Sequence, residues 1–115
     1  MDKVEKPWGY EIIWAKTDKY VGKILHINPH SRLSRQYHKV KEETIMVKSG
    51  TLHLQLDDEP HIRNIYLIEG QTFHIEPRRI HRFCAKEGPV ELIEVSTTEL
   101  DDVVRLSDDY RRLNP

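Results

Sequence analysis

The segment Glu43-Thr44-Ile45-Met46-Val47-Lys48-Ser49-Gly50-Thr51-Leu52-His53-Leu54-Gln55-Leu56 alternates side-chain types on both sides of a Ser49-Gly50 break. Glu43, Ile45 and Val47 alternate with Thr44, Met46 and Lys48, and Leu52, Leu54 and Leu56 with Thr51, His53 and Gln55. A period of two places each set on one face of an extended strand, so two half-buried strands are expected here. His53 falls opposite the leucine face and is expected to be exposed. Upstream, Val21, Lys23, Leu25 and Ile27 share one face, with Gly22, Ile24 and His26 on the other. Downstream, strands are expected over 62–68, 72–75, 82–85 and 90–97. The breaks are Asp57-Asp58-Glu59-Pro60, Glu69-Gly70, Pro77-Arg78-Arg79 and Glu87-Gly88-Pro89.

No amphipathic helix of ten or more residues precedes the tail. Residues 100–113 are expected to form a helical turn or two, with Leu100, Val103, Val104 and Leu106 on the apolar side. Asp101 and Asp102 would favour its N-terminal end. Many short strands punctuated by Gly and Pro predict an all-β sandwich or barrel, one domain over 1–115 with a short charged C-terminal tail.

Composition narrows the functional classes. The chain has 115 residues, with 18 Lys+Arg against 19 Asp+Glu, seven His and one Cys. A net charge of −1 disfavours non-specific nucleic-acid binding, which needs a basic excess. The apolar run Ile65-Tyr66-Leu67-Ile68 is far shorter than the ~20 residues of a membrane helix. A single cysteine excludes an internal disulfide, and Cys84 reads as a small buried residue. The first residues lack the apolar region of a signal peptide. The expectation is a protein of a reducing compartment, cytoplasmic, without a membrane or nucleic-acid partner. No G-x-S-x-G, P-loop or G-x-G-x-x-G is present, which disfavours hydrolase and nucleotide readings.

The chemistry concentrates in 36–50 and 70–83. Gln36, His38 and Val40 share a face if extended, and Glu43 opens the next strand, where it can turn inward beside His38. His81 lies in the downstream stretch. Imidazole, carboxylate and amide carbonyl together suit a divalent metal such as zinc, iron or manganese. The alternatives are hydrogen-bonded core histidines at 38 and 81, and a Glu43 that accepts buried hydrogen bonds or pairs with Lys23. Lys23 interrupts an apolar face, so it either faces a polar cavity or forms a paired core charge.

These residues resemble the two motifs of the cupin superfamily, G-x5-H-x-H-x(3,4)-E-x6-G and G-x5-P-x-G-x2-H-x3-N. Glu43 and Gly50 keep the six-residue gap, His38 matches the first histidine, and His81 follows Gly70 by eleven positions. Val40 replaces the second histidine, Glu76 and Arg78 replace the Pro and Gly, and Ala85 replaces the Asn. A narrower likeness spans nearly the whole chain. Lys6-Pro7-Trp8-Gly9-Tyr10-Glu11, Arg32-Leu33-Ser34-Arg35-Gln36-Tyr37-His38 and Asp102-Val103-Val104-Arg105-Leu106-Ser107-Asp108-Asp109-Tyr110 look like the cupin domain of type II phosphomannose isomerases and their small stand-alone relatives.

The resemblance implies a double-stranded β-helix, or jelly-roll barrel, with a ligand cavity in its mouth. It also implies a homodimer, by exchange of N-terminal strands around Trp8. The implied activity interconverts mannose 6-phosphate and fructose 6-phosphate. A metal on His38, Glu43 and His81, with Gln36 as fourth ligand, would then polarise the sugar carbonyl. Lys23, Arg35 and Arg105 are the candidates for the sugar phosphate, and His74 and Glu94 for the base. The competing reading is a non-catalytic cupin that binds or senses a sugar or small anion through Lys23, Arg35 and His81. Arg78, Arg79 and Arg82 form either a solvated loop or an anion contact at the mouth. His26, His30 and His61 read as surface or turn residues, and Trp8 and Trp14 as packing residues.

Overall fold

The computed structural model describes residues 2–112. They contain twelve strands and no helix: β1 (Asp2–Lys6), β2 (Gly9–Lys16), β3 (Val21–Ile27), β4 (Ser31–Arg32), β5 (Arg35–Tyr37), β6 (Glu43–Ser49), β7 (Leu52–Leu56), β8 (Arg63–Leu67), β9 (Thr72–Ile75), β10 (His81–Ala85), β11 (Val90–Ser96) and β12 (Val104–Ser107). Every pairing is antiparallel. One sheet runs β1-β2-β3-β11-β6-β9; the other runs β12-β5-β10-β7-β8, with β4 also paired to β10. Their inner faces share a core that includes Trp8, Leu25, Ile27, Ile45, Leu54 and Leu92.

The Ser49-Gly50 break carries the chain from the first sheet to the second, since β6 pairs with β11 and β9 while β7 pairs with β10 and β8. Gly50 has φ 81°, a left-handed conformation that side-chain-bearing residues rarely adopt. A Cβ there would also lie 2.3 Å from the Pro89 carbonyl oxygen. Both leucine and Glu43-Ile45-Val47 faces point inward as their alternation predicts.

Three sequence expectations are corrected. Residues 100–112 form no helix; they make turns and the short strand β12 on the edge beside β5, and Leu113 lies outside the described residues. Asp102 binds three backbone amides of a neighbouring loop instead of starting a helix. His53 is buried, because Asn64 and Tyr66 of β8 cover that face with a hydrogen bond and a stacked ring. Trp8 packs in the core, as its reading as a packing residue expects.

The outer faces differ in character. On the first sheet, register aligns Ile12, Ile24, Ile93 and Met46 across four strands. Trp14, at a register shift in β2, lays its ring over Gly22, where a Cβ would sit 2.6 Å from it. Trp14, Met46 and Val95 remain exposed. No helix is long and apolar enough to cross a membrane.

Gly50→Ala is expected to lower stability by about 1–3 kcal/mol through left-handed strain and backbone contact. Denaturant unfolding checks this; Gly70→Ala, with nothing near its Cβ position, serves as the control for strain alone.

Candidate functional site

Two cross-strand rows face each other across a cavity of about 170 Å³ between the sheets. From the second sheet, Arg105 of β12 stands opposite Gln36 of β5, which stands opposite His81 of β10. From the first, Lys23 of β3 stands opposite Glu94 of β11, and Glu43 begins β6. All six line the cavity, together with His38 and Lys41.

His38, Glu43 and His81 are each at most 5% exposed, and one donor atom from each lies within 4.8 Å of the others. His38 Nδ1 donates to the Asp102 carbonyl at 2.6 Å, and His81 Nδ1 to the Arg79 carbonyl at 2.8 Å. A carbonyl oxygen can only accept, so Nδ1 carries a proton in both rings, and Nε2 is the atom that bears the lone pair in the neutral tautomer this selects. Both Nε2 atoms are directed at Glu43 Oε1, at 3.8 Å and 3.5 Å. Donors about 2.0–2.2 Å from one ion in a tetrahedral arrangement lie roughly 3.3–3.6 Å apart. The His81–Glu43 distance falls in this range, His38–Glu43 is wider, and all three donors lie within 4.8 Å of one another. Tautomer and backbone anchoring fit a divalent metal around which the donors would close slightly. Gln36 lies beside them but turns its amide nitrogen to Ser34 Oγ at 2.9 Å, which leaves its carbonyl oxygen as the free acceptor.

Lys41 completes the cluster. Its ammonium lies 3.1 Å from Glu43 Oε2 and 3.3 Å from Glu94 Oε2, at 5% exposure. Burial opposes its charge, but Glu94 and Glu43 outweigh this and raise its pKa. Burial likewise opposes ionisation of Glu43, and the adjacent Lys41 ammonium above all reverses the effect and holds it well below the usual carboxylate range. Burial and the Glu43 charge together push Glu94 up to about 7. Burial lowers His81 to about 4, so its imidazole is neutral at pH 7, as a ligand must be. One ammonium serves two carboxyls, and the proton that remains belongs to Glu94.

The loop carrying His38 and Lys41 is wrapped around Asp102. Its carboxylate accepts from the amides of Lys39, Val40 and Lys41 at 3.0, 2.7 and 2.9 Å. Burial acts to raise the Asp102 pKa, but the three amides together outweigh it and lower it to about 2. This loop turns Val40 outward to 65% exposure, so the position of the missing histidine does not face the cavity at all.

Other expected residues separate. Lys23 is both cavity-lining and paired, 3.2 Å from Glu11. Arg35 lies on the opposite face of β5 and donates to Gln55, so it cannot reach the cavity. Arg82 also turns outward and is buried against the carbonyls of Leu33 and Ser107, while Arg79 pairs with Asp57 and Arg78 is exposed. These arginines form no anion contact at the mouth. His74 is exposed and bonded to Glu42. Sequence reasoning missed Lys41 and Asp102. Lys41 was legible as the inward period Glu43-Ile45-Val47 extended back by two; Asp102 left no local signal, because its partners are some sixty positions away.

A double-stranded barrel with a polar cavity between its sheets is the cupin architecture, and solved structures agree. The chain superposes on KdgF from Halomonas sp. with a TM-score of 0.76 and 17% identity, covering 88% of this chain and 89% of that one. An uncharacterized Klebsiella pneumoniae protein with a double-stranded β-helix domain gives 0.70 and 14%, covering 90% and 84%. The family model of the mannose-6-phosphate isomerase C-terminal domain matches residues 1–108, and the chain belongs to that family. Alginate biosynthesis protein AlgA of Pseudomonas aeruginosa is 33% identical over 96% of this chain, and mannose-1-phosphate guanylyltransferase of Escherichia coli K12 is 35% identical over 96%. This chain spans 23% of the length of each.

Asp102→Ala is expected to cost about 1–3 kcal/mol by leaving three amides without their charged acceptor. The folded-state pKa is depressed, so this stabilisation is complete above the ordinary aspartate value and is lost as pH falls toward 2. Thermal unfolding at pH 7 and pH 3 checks it: the gap between wild type and Asp102→Asn should narrow at the lower pH.

Proposed function

We propose that the chain is a mannose-6-phosphate isomerase-like cupin that interconverts an aldose phosphate and a ketose phosphate at a metal-dependent site. The observation that carries this is the pair of backbone-anchored histidines, His38 and His81, presenting Nε2 toward the ionised Glu43 in a polar cavity between the sheets. His38, Glu43 and His81 would hold a divalent ion, with the Gln36 carbonyl as fourth ligand. Such an ion supplies Lewis acidity to the carbonyl and hydroxyl oxygens of the open-chain sugar. Glu94, titrating near neutral pH, takes the proton from the hydroxyl-bearing carbon beside the carbonyl and delivers it to the former carbonyl carbon, while the proton of that hydroxyl passes to the former carbonyl oxygen. No electron pair leaves the sugar, and no co-reactant is needed. Arg105 receives the phosphate. Lys23 and Glu11 offer a donor and an acceptor to sugar hydroxyls and exclude water from that wall.

One observation favours a second reading, a non-catalytic sugar- or anion-binding cupin: the Lys41 ammonium already neutralises Glu43 and Glu94 in the place where a cation is wanted. Metal analysis separates the two. The isomerase reading expects about one divalent ion per chain after loading with zinc, manganese or iron(II). It also expects turnover of mannose 6-phosphate in a coupled assay. Glu43→Gln should lose metal affinity by at least about 100-fold, and Glu94→Gln should lose turnover with metal retained. A folded protein that takes up no metal and still binds hexose phosphate in a thermal-shift screen would establish the second reading instead.

We also propose that two copies pair through the outer face of the first sheet. The stripe Ile12, Ile24, Ile93 and Met46, extended by Trp14 and Val95, is contiguous rather than scattered. Its rim carries both charge signs, Lys3 with Glu5 and Lys48 with Glu91, as a self-complementary contact requires. Light scattering should give twice the chain mass, and Val95→Glu the mass of one chain. A wild-type mass of one chain at micromolar concentration would remove this pairing.

A further inference from the structure

The outer face of the second sheet holds another cavity, of about 280 Å³, which shares no lining residue with the central one. Its floor is a row set by register: Arg32 of β4 opposite Cys84 of β10, opposite His53 of β7. Gln55, Lys86, His30 and Asp109 complete the lining. The adjacent row on the same face contains Arg82, opposite Gln55, and Arg35, which donates Nη2 to Gln55 Oε1 at 2.8 Å.

The charges here do not balance. Four cations, Arg32, Arg35, Arg82 and Lys86, meet two carboxylates, Asp58 and Asp109. Both oxygens of Asp109 are engaged by Arg32, at 2.7 and 2.9 Å. Arg82, 2% exposed, donates only to the neutral carbonyls of Leu33 and Ser107. Arg35, 8% exposed, leaves Nε without an acceptor, with Asp58 4.0 Å away. The Cys84 thiol is pushed up by burial and stays neutral. Buried guanidinium groups without full anionic compensation are unfavourable. Arg35 and Arg82 lie beside the cavity without lining it, so an anion held over Gln55 and Arg32 would offset their charge through space. The cavity's neutral groups can contribute as well. The Gln55 amide nitrogen is unspent and donates. His30 donates Nδ1 to the Lys86 carbonyl and His53 donates Nε2 to Asn64 Oδ1, so the second nitrogen of each ring donates to an oxyanion once that ring is protonated.

We propose that this cavity is a second ligand site, for a compact oxyanion of the phosphate class, free or as the monoester of a small molecule. Arg32 and Lys86 bind its charge, joined by His30 and His53 in their protonated form, and the Gln55 amide donates to a remaining oxygen. The site is independent of the chemistry assigned to the central cavity.

The test follows the histidine ring resonances by NMR in the full chain. Inorganic phosphate is one arm and glycerol 3-phosphate the other, with ionic strength held constant by chloride. The expected result is a saturable shift at His30 and His53 in the millimolar range or below. Lys86→Ala, an exposed-loop change that leaves the fold intact, should weaken it about tenfold, and Arg32→Gln likewise. Saturation by the ester alone assigns the site to a phosphorylated small molecule; saturation by both assigns it to the phosphate group itself. Shifts confined to His38 and His81, shifts that never saturate, or an affinity unchanged in Lys86→Ala would overturn the proposal. His38 and His81 report the central cavity separately, so a failure here is distinguishable from a failure there.

Discussion

One buried ammonium holds the interior charges of this barrel in place. Lys41 lies between Glu43 and Glu94, and neither carboxyl could remain in the interior on its own terms. Removing one member of such a cluster leaves an uncompensated buried charge, typically worth about 3–5 kcal/mol. The consequence is chemical as well as structural. Sharing one cation keeps Glu43 ionised toward the histidines and leaves Glu94 the partner that titrates near neutrality. Two carboxyls of the same kind thus acquire different properties from position alone.

The cluster depends on backbone held far from it in sequence. His38 and Lys41 belong to the five-residue loop 38–42 between β5 and β6, which no sheet pairing stabilises, and Asp102 supplies what pairing does not. Its carboxylate gathers three amides, and its carbonyl fixes the His38 ring. The same segment continues into β12, which carries Arg105 into the cavity and pairs with β5 beside Gln36. Anchor, ligand loop and cationic wall are one continuous arrangement, and a change in the tail reaches the centre of the site.

The two sheets divide the remaining tasks. Inner faces are apolar except where the two polar rows meet, so the cavity is a local interruption of a well-filled core. Outer faces follow opposite solutions. The first is apolar and flat; the second is a layer of arginine, histidine and glutamine, largely buried under the segment that ends in Asp109. An exposed face of the first kind matches apolar surface, and one of the second kind matches charge.

Much of this was legible in the residues. The period-two alternation of Glu43–Val47 and Leu52–Leu56 is a local property, and it determined strands, inner faces and the turn at Gly50. Motif spacing brought out His38, Glu43, His81 and Gln36, because residues on paired inward strands keep fixed separations. Lys23 was conspicuous as a charge on an apolar face. What the sequence could not determine is everything set by contact at a distance. The tail 100–112 has helix-like apolar spacing, yet β5 offered it an unpaired edge and Asp102 a set of amides, and those tertiary hydrogen bonds prevailed over local preference. Arg35 and Arg82 fell on the outer face because strand register, not composition, decides which side a residue occupies. Lys41 became a central residue for the same reason: only the folded sheets bring Glu94 from β11 within 3.3 Å of its ammonium.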